Sequence, residues 1–325
     1  MEVKDRFKGC ILGAAVGDAL GMPTEYITQA QLDTLYNGRV TTFQNPSKSH
    51  PCGHLKAGQY TDDTQQIIVL GNSIVKNKGF NFLDFAKDLG VWGNRCTTES
   101  DYDRFAGTTS LSAALEIYVG KDPNLTGKPR ATCGAAMRIA PVGLFYSNDI
   151  NKMQEVAKDA ARITHCHSEA IASAVFVSGV IAYLLNDKNH FEAVNSARSL
   201  LNGDLGEKLD YVISKNSFKP KEISKVIGTS EDVCETVPMA LSCFLYSPEN
   251  FEETVVQAAN LVCGDTDSIA CIAGAISGAY NGYSKIPQKF KDNLENRLGL
   301  EKLSEDLLEK SLNQTKLNGE YDNEN

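Results

Sequence analysis

Four glycines recur at every fourth position near the start of the chain, at Gly9, Gly13, Gly17 and Gly21. The apolar pattern around them predicts a helix over residues 5–20, so the glycines form a stripe along one helix face. A glycine inside a helix costs about 1 kcal/mol relative to alanine. Because the chain keeps several of them, we expect another helix or a ligand to lie very close to this face.

Two short segments rich in carboxylates and hydroxyls each precede an apolar pattern of helical spacing. The first is Thr61-Asp62-Asp63-Thr64, and the second, about 200 residues later, is Gly264-Asp265-Thr266-Asp267-Ser268. One such segment alone most often caps the free N–H groups of a helix. Two of them in one chain indicate a shared site for hard divalent cations, which bind carboxylate, hydroxyl and water oxygens.

The composition favours one large domain with an acidic balance. The 325 residues are 42% hydrophobic, with no internal linker rich in Pro, Gly or Ser and with a polar C-terminal segment. We therefore predict one domain over residues 1–300 and a polar, partly frayed extension over residues 301–325. The formal net charge is −9 and no block of Lys and Arg is present, which argues against a nucleic-acid partner.

Cysteine usage and hydropathy indicate a cytoplasmic protein. The nine cysteines are scattered and form no Cys-x-x-Cys pair, a pattern typical of free thiols in a reducing compartment. Glu2 and Asp5 argue against a signal peptide at the N-terminus. The longest apolar run, residues 170–185, is short for a membrane span and contains Ser173 and Ser178, so it predicts a buried helix and no membrane partner.

Helical spacing dominates the rest of the chain and strand patterns are scarce, so the predicted class is all-α. Further helices are predicted over residues 151–163, 169–186, 190–201, 205–215, 230–246, 250–262 and 269–280. Three segments with little periodicity, residues 37–60, 93–107 and 120–134, are predicted to be loops around one mouth.

Two other chemistries have weaker support. His165-Cys166-His167 offers zinc ligands, yet no second pair of ligands with suitable spacing is visible, so a capping or packing role is favoured. Ser110 and Ser112 lack His and Asp partners for a nucleophilic triad. The paired acidic segments therefore carry the functional prediction.

Five segments, taken in order, resemble the ADP-ribosylglycohydrolase family. They are GCILGAAVGDALGMPTE from Gly9, GQYTDDTQ from Gly58, GAAMRIAP from Gly134, Thr164-His165, and GDTDSIACIAGAISGAYNG from Gly264. The resemblance covers residues 5–290, and the family includes dinitrogenase-reductase-activating glycohydrolases and ADP-ribosyl-arginine and ADP-ribosyl-serine hydrolases. It implies a compact orthogonal bundle of many helices that holds two Mg²⁺ or Mn²⁺ ions.

The resemblance also implies roles for residues at matching positions. The implied metal ligands are Thr61, Asp62, Asp63, Asp265, Asp267 and Ser268. The implied catalytic residues are Asp62, Asp265 and Glu25, and the implied substrate contacts are Gly107, Thr108, Gly134, Met137, Arg138 and His165. Ser268 stands where family members usually carry Thr and keeps the hydroxyl ligand. Cys133 stands where many members carry Asn.

The implied activity is hydrolysis of the glycosidic bond between ADP-ribose and a modified side chain, with arginine expected, and release of free ADP-ribose. Two metal ions would hold the ribose hydroxyls and position a water, while a carboxylate takes its proton. Helix N-termini and Arg138 or Arg104 would neutralise the diphosphate. The alternatives are a hydrolase of serine-linked or small-molecule ADP-ribose, a phosphoester or nucleotide hydrolase, and an immunity protein that blocks or reverses an ADP-ribosylating toxin.

Overall fold

The fold is built from α-helices that surround a central antiparallel pair. The computed structural model describes residues 2–186, 188–217 and 219–321, and these contain seventeen α-helices and no β-strand. The prediction of an all-α protein is confirmed. The helices are α1 (Val3–Gly21), α2 (Gln29–Tyr36), α3 (Asp62–Asn77), α4 (Phe82–Thr98), α5 (Thr108–Tyr118), α6 (Gly134–Met137), α7 (Ala140–Phe145), α8 (Ile150–Arg162), α9 (Ser168–Leu185), α10 (His190–Arg198), α11 (Asp204–Ser214), α12 (Pro220–Ile227), α13 (Val233–Tyr246), α14 (Phe251–Ala259), α15 (Thr266–Asn281), α16 (Gln288–Asn293) and α17 (Arg297–Tyr321).

Helices α1 and α15 form the central pair and approach each other along the glycine stripe. A Cβ atom built on Gly17 would lie 1.9 Å from the carbonyl oxygen of Ala270. At the other end of the pair, a Cβ atom on Gly278 would lie 1.9 Å from the carbonyl oxygen of Gly9. The stripe therefore serves close packing of another helix. The antiparallel pairing places the first turn of α15 beside the end of α1, and this juxtaposition fixes the location of the site.

The Gly17→Ala variant is expected to lose about 3 kcal/mol of unfolding free energy, because its methyl group would force the two central helices apart. Gly107→Ala is the matched control, since a Cβ atom on Gly107 meets nothing within 4 Å. Urea denaturation of both variants measures the difference. Equal stabilities for Gly17→Ala and wild type would contradict the close packing of α1 against α15.

The helices predicted from apolar spacing are present, with bounds that differ from the observed ones by no more than three residues. Residues 37–60 contain no α-helix, as predicted, and the loop predicted over residues 120–134 ends one residue earlier, because α6 begins at Gly134. The loop predicted over residues 93–107 is wrong in its first part, because α4 continues to Thr98. A Cβ atom on Gly93 would lie 2.6 Å from the Cβ atom of Ala114, so this glycine lets α4 and α5 pack closely and does not end the helix.

Helix α9 occupies the interior of the bundle. By length and composition alone it could cross a membrane, but 67% of its apolar window is buried inside the protein, as the prediction of a buried helix requires. At the other end of the chain, α17 starts at Arg297 and buries Leu303 and Leu307, so the beginning of the predicted extension packs on the domain. Residues 322–325 lie outside the described residues, and fraying there stays a prediction.

Candidate active site

One pocket lies where the end of α1 meets the starts of α3, α5, α6 and α15. Six acidic side chains line it, together with hydroxyl groups, a thiol and two large aromatic rings. The full lining is Glu25, Tyr26, Asp62, Asp63, Phe105, Ala106, Gly107, Thr108, Thr109, Ser110, Thr132, Cys133, Gly134, Met137, Glu231, Asp265, Asp267 and Ser268. Both acidic segments singled out in the sequence therefore meet in one cavity, although about 200 residues separate them.

Asp18 holds the start of α3 against the central pair. Its carboxylate accepts hydrogen bonds from the backbone N–H groups of Thr61 at 2.8 Å and Thr64 at 3.0 Å, and from the Thr64 hydroxyl at 2.5 Å. Asp18 is fully buried on α1. The sequence reasoning assigned it no role. One signal could have found it, because it is the single charged residue between Gly9 and Gly21.

The start of α3 presents Asp62 and Asp63 to the pocket. Gln66 donates to Asp62 Oδ2 at 2.8 Å, whereas Asp63 Oδ2 is buried with no hydrogen-bond partner among the described residues. Thr61, an implied metal ligand, does not line the pocket and accepts the Asp63 N–H at 3.4 Å as the helix cap. The two carboxylates therefore supply the free oxygens at this helix start.

The start of α15 presents Asp265, Asp267 and Ser268, with Glu25 beside them. Glu25, Asp265 and Asp267 each offer an oxygen, and these oxygens all lie within 4.8 Å of one another, so the cluster could hold a metal ion. The Glu25 Oε2 atom is buried without a hydrogen-bond partner among the described residues. Buried carboxylate oxygens that lack donors are the groups that a hard cation satisfies best. The residues present therefore fit divalent cations.

The crowding of these carboxylates shifts their pKa values upward. Burial, followed by the charges of Asp18 and Asp265, raises the pKa of Asp62 to about 8. Burial and neighbouring carboxylates also raise the pKa values of Asp63, Asp267 and Glu25 well above their ordinary values. Without cations, the folded protein therefore binds protons at these groups that the unfolded chain would release.

The stability of the metal-free protein is expected to fall as the pH rises from about 5 to 8. The folded pKa of Asp62 lies above its ordinary value of 3.8, so ionisation costs more in the folded state, and the stabilising proton is lost as pH rises through the folded pKa. Thermal melts in EDTA across this range check the trend. The Asp62→Asn variant should show a shallower slope than the wild type, and identical slopes would contradict the shift.

Cys133 lies against the second helix start as a hydrogen-bond donor. Its S–H group donates to Asp265 Oδ2 at 3.0 Å and contacts Ser268 Oγ at 3.5 Å. Burial and the charges of Asp265 and Asp63 raise the pKa of this thiol well above its ordinary value. The neutral thiol therefore orients the Asp265 carboxylate, much as the side-chain amide of an asparagine would at this position.

Four of the six implied substrate contacts line the pocket, namely Gly107, Thr108, Gly134 and Met137. Arg138 and His165 lie behind the wall and are fully buried. The Arg138 guanidinium donates to Gln66 Oε1 at 2.9 Å and to Thr164 Oγ1 at 2.6 Å. The His165 ring is hydrogen-bonded to Thr132 Oγ1 at 2.9 Å and to Thr164 Oγ1 at 2.7 Å. Both side chains therefore support the wall that carries Gly134, and neither faces the cavity.

Arg104 is also committed elsewhere, because it forms an ion pair with Glu295 and donates to the Tyr60 carbonyl oxygen at 2.7 Å. Among the described residues, the pocket lining contains no lysine, arginine or histidine. The expectation that Arg104 or Arg138 neutralises a bound diphosphate is therefore not met by this geometry. In this pocket, positive potential is available from the helix starts that open onto it.

This all-α fold brings the carboxylates at the starts of α3 and α15 into one pocket, where they could hold a metal ion. Comparison with known proteins agrees, since the family model for ADP-ribosylglycohydrolases matches residues 1–316. The chain belongs to the ADP-ribosylglycohydrolase family, whose members are hydrolases that act on ADP-ribosyl linkages.

Relatives and a solved structure match along nearly the whole chain. An uncharacterised protein of Archaeoglobus fulgidus is 36% identical, with 97% of this chain and 100% of that protein covered. The ADP-ribosylarginine hydrolase Tri1 of Serratia proteamaculans is 27% identical over 94% of this chain and 80% of its own length. The ADP-ribosylhydrolase ARH3 of Bos taurus is 26% identical over 89% of this chain and 88% of its own length. A solved structure described as an ADP-ribosylglycohydrolase-related protein complex superposes with a TM-score of 0.74 at 27% identity and covers 95% of this chain and 99% of its own.

Proposed function

We propose that this protein is a hydrolase that uses two divalent metal ions, Mg²⁺ or Mn²⁺, to release ADP-ribose from modified arginine side chains. The observation that carries the proposal is the convergence of Asp62 and Asp63 with Asp265 and Asp267 in one pocket. Orphaned carboxylate oxygens on Asp63 and Glu25 support the presence of cations. The proposed ligands are those two pairs of aspartates with the hydroxyl of Ser268, whereas Thr61 caps the start of α3 beside them.

Bound divalent cations would supply positive charge for the ribose hydroxyls and would lower the pKa of a water molecule at the site. Among the protein's own side chains, Glu25 is the proposed base in the reaction. It is 6% exposed and lies beside Asp265 and Asp267. Burial and the charges of Asp265 and Asp62 raise the pKa of Glu25, which makes its carboxylate a stronger base than a free one.

We assign the proton transfer to Glu25. The oxygen of the attacking water forms a bond to the anomeric carbon of the ribose while the bond from that carbon to the guanidine nitrogen breaks. Glu25 accepts a proton from the water and passes it to the departing nitrogen, so the products are free ADP-ribose and an intact arginine. Asp62 and Asp265 orient the reacting groups from the two helix starts, and Cys133 fixes the Asp265 carboxylate.

The start of α5 offers donors for the diphosphate. Gly107 precedes the helix and provides no side-chain cap, so the N–H groups of Thr108 and Thr109 have no partner inside the helix. Both residues line the pocket. Free N–H groups and the positive end of a helix favour anions, which supports a diphosphate subsite at this position.

The linkage preference is expected to favour arginine, because the relative named an ADP-ribosylarginine hydrolase matches along most of this chain and because the pocket mouth is acidic. Purified protein with Mg²⁺ or Mn²⁺ should release ADP-ribose from ADP-ribosyl-arginine peptides with at least a roughly tenfold higher kcat/KM than from ADP-ribosyl-serine peptides. Chromatographic detection of free ADP-ribose measures kcat/KM for both kinds of peptide. The reverse ranking would reject the arginine preference, and AMP as the product would reject the reaction.

A further inference from the structure

We propose that Tyr26, Phe105 and Glu231 form a subsite at the pocket mouth that binds the guanidinium group of the ADP-ribosylated arginine. The inference rests on the proposed function and deepens it, since it assigns residues to the choice between arginine and neutral linkages. All three residues line the same pocket as the buried carboxylates. Phe105 lies in the segment, residues 93–107, that was predicted to be a loop at the mouth, whereas the sequence patterns and the resemblance gave Tyr26 and Glu231 no role.

The two rings stand at the rim of the pocket. Tyr26 is 46% exposed and Phe105 is 43% exposed, whereas the carboxylates of the pocket interior are each 6% exposed or less. Glu231 is exposed as well, and no described residue forms an ion pair with it. The mouth therefore presents two large π surfaces and one free negative charge to the solvent.

Both rings are carried by a left-handed backbone, with φ of 53° at Tyr26 and 63° at Phe105. Bulky side chains rarely adopt this conformation, and glycine or asparagine would adopt it with less strain. Residues held in such conformations tend to cluster where a protein clamps a ligand. The backbone turn alone does not explain an aromatic residue at either position, and ligand binding by the ring would explain it.

The backbone around each ring is tied down. The Tyr26 N–H donates to the Gly264 carbonyl oxygen at 2.8 Å, and the Cys263 N–H donates to the Ile27 carbonyl oxygen at 2.8 Å. These bonds join the Tyr26 turn to the segment that leads directly into Asp265. Beside Phe105, Arg104 is anchored to the Tyr60 carbonyl oxygen at 2.7 Å. The rings are thus fixed relative to the reacting centre and do not belong to loose loops.

The charge at the mouth suits a cation. Tyr26 lines the same pocket as Glu25, Asp265 and Glu231, so its ring shares this cavity with three carboxylates. A guanidinium is planar, weakly hydrated and always charged, and it stacks on aromatic faces while it pairs with carboxylates. An ADP-ribosylated arginine keeps this cation next to the bond that is cleaved. A serine linkage presents no cation there.

The test uses three variants that remove one feature each, namely Tyr26→Asn, Phe105→Asn and Glu231→Gln. Asparagine tolerates the left-handed backbone, so the two ring deletions should fold with unchanged thermal stability. Each variant is expected to lower the ratio of kcat/KM for ADP-ribosyl-arginine to kcat/KM for ADP-ribosyl-serine by about tenfold. Tyr118→Asn and Glu192→Gln remove an exposed ring and an exposed carboxylate away from the pocket, and both should keep the wild-type ratio.

Agmatine, which has a guanidinium but no ADP-ribose, supplies a second readout. It should inhibit the wild type competitively, and its inhibition constant should rise about tenfold in the double variant Tyr26→Asn/Phe105→Asn. An unchanged substrate ratio in all three variants, or equal losses on both linkages, would overturn the subsite while leaving arginine release intact. A wild-type protein that prefers the serine linkage would overturn the proposed function, and the subsite with it.

Discussion

The Asp265→Asn variant is expected to release ADP-ribose about a thousandfold more slowly than the wild type, with unchanged helical content. Asparagine keeps the volume and one carbonyl oxygen but loses the negative charge. Asp265 lies in the cluster with Glu25 and Asp267 and accepts a hydrogen bond from the Cys133 thiol at 3.0 Å. Its charge therefore acts at the centre of the pocket. Initial rates of release from ADP-ribosyl-arginine peptides, with circular dichroism on the same preparations, measure the effect.

Asp204→Asn is the matched control for this variant. Asp204 occupies the first turn of α11, as Asp267 occupies the first turn of α15, but it is exposed and lies outside the pocket. It should retain wild-type turnover, because a carboxylate at an exposed helix start contributes little beyond its local field. Wild-type turnover in Asp265→Asn, or an equal loss in Asp204→Asn, would show that the converged carboxylates are not the reacting centre.

Removal of divalent cations with EDTA is expected to abolish ADP-ribose release and to lower the melting temperature by several degrees. The reason is the like charge of Asp62, Asp63 and Asp267, whose pKa values are raised by burial and by one another when no cation is present. If an ion binds only the folded state, an excess of about a hundredfold over Kd adds roughly 2.7 kcal/mol of stability. Differential scanning fluorimetry before and after resupply of Mg²⁺ or Mn²⁺ measures the gain.

The Asp265→Asn variant should recover only part of this thermal gain, because it lacks one of the proposed ligands. Activity should return with the metal in the wild type and should track its concentration. Full turnover in excess EDTA would contradict the requirement for metal, even if the melting temperature responds to cations bound elsewhere on this acidic protein.

The sequence predicted the fold correctly where a short pattern reflects both the geometry of its own helix and a contact with a distant segment. The glycine stripe on α1 has a spacing of one turn and meets Gly278 and Gly274 of α15, so a local pattern reports a distant contact. The Thr61 cap, followed by Asp62, marks the start of α3 in both sequence and structure. Gly93 misled the prediction because its reason lies in Ala114 of another helix, which the local sequence does not contain.

The site residues divide in the same way, into those that a local sequence pattern marks and those that only contacts with distant segments place. The acidic segments were recognised because carboxylates at a helix start are visible locally. Arg138 was expected to reach the substrate, whereas its partners Gln66 and Thr164 come from α3 and from the turn after α8, and no local pattern reveals that pairing. Tyr26 was assigned no role for a related reason, since its left-handed turn is hydrogen-bonded to Gly264, far away in sequence. Phe105 lies in a loop that was predicted to border the mouth, but no local pattern showed that its ring lines the pocket.

The central claim is that the two helix starts hold a pair of divalent cations between them. Anomalous diffraction from crystals grown with Mn²⁺ tests it directly, because the ion can be located without any assumption about activity. The account predicts two manganese positions in the pocket, with oxygen ligands from Asp62, Asp63, Asp265 and Asp267 at about 2.0–2.2 Å. Crystals in which manganese is absent from this pocket, while substrate is still hydrolysed by the same preparation, would contradict it.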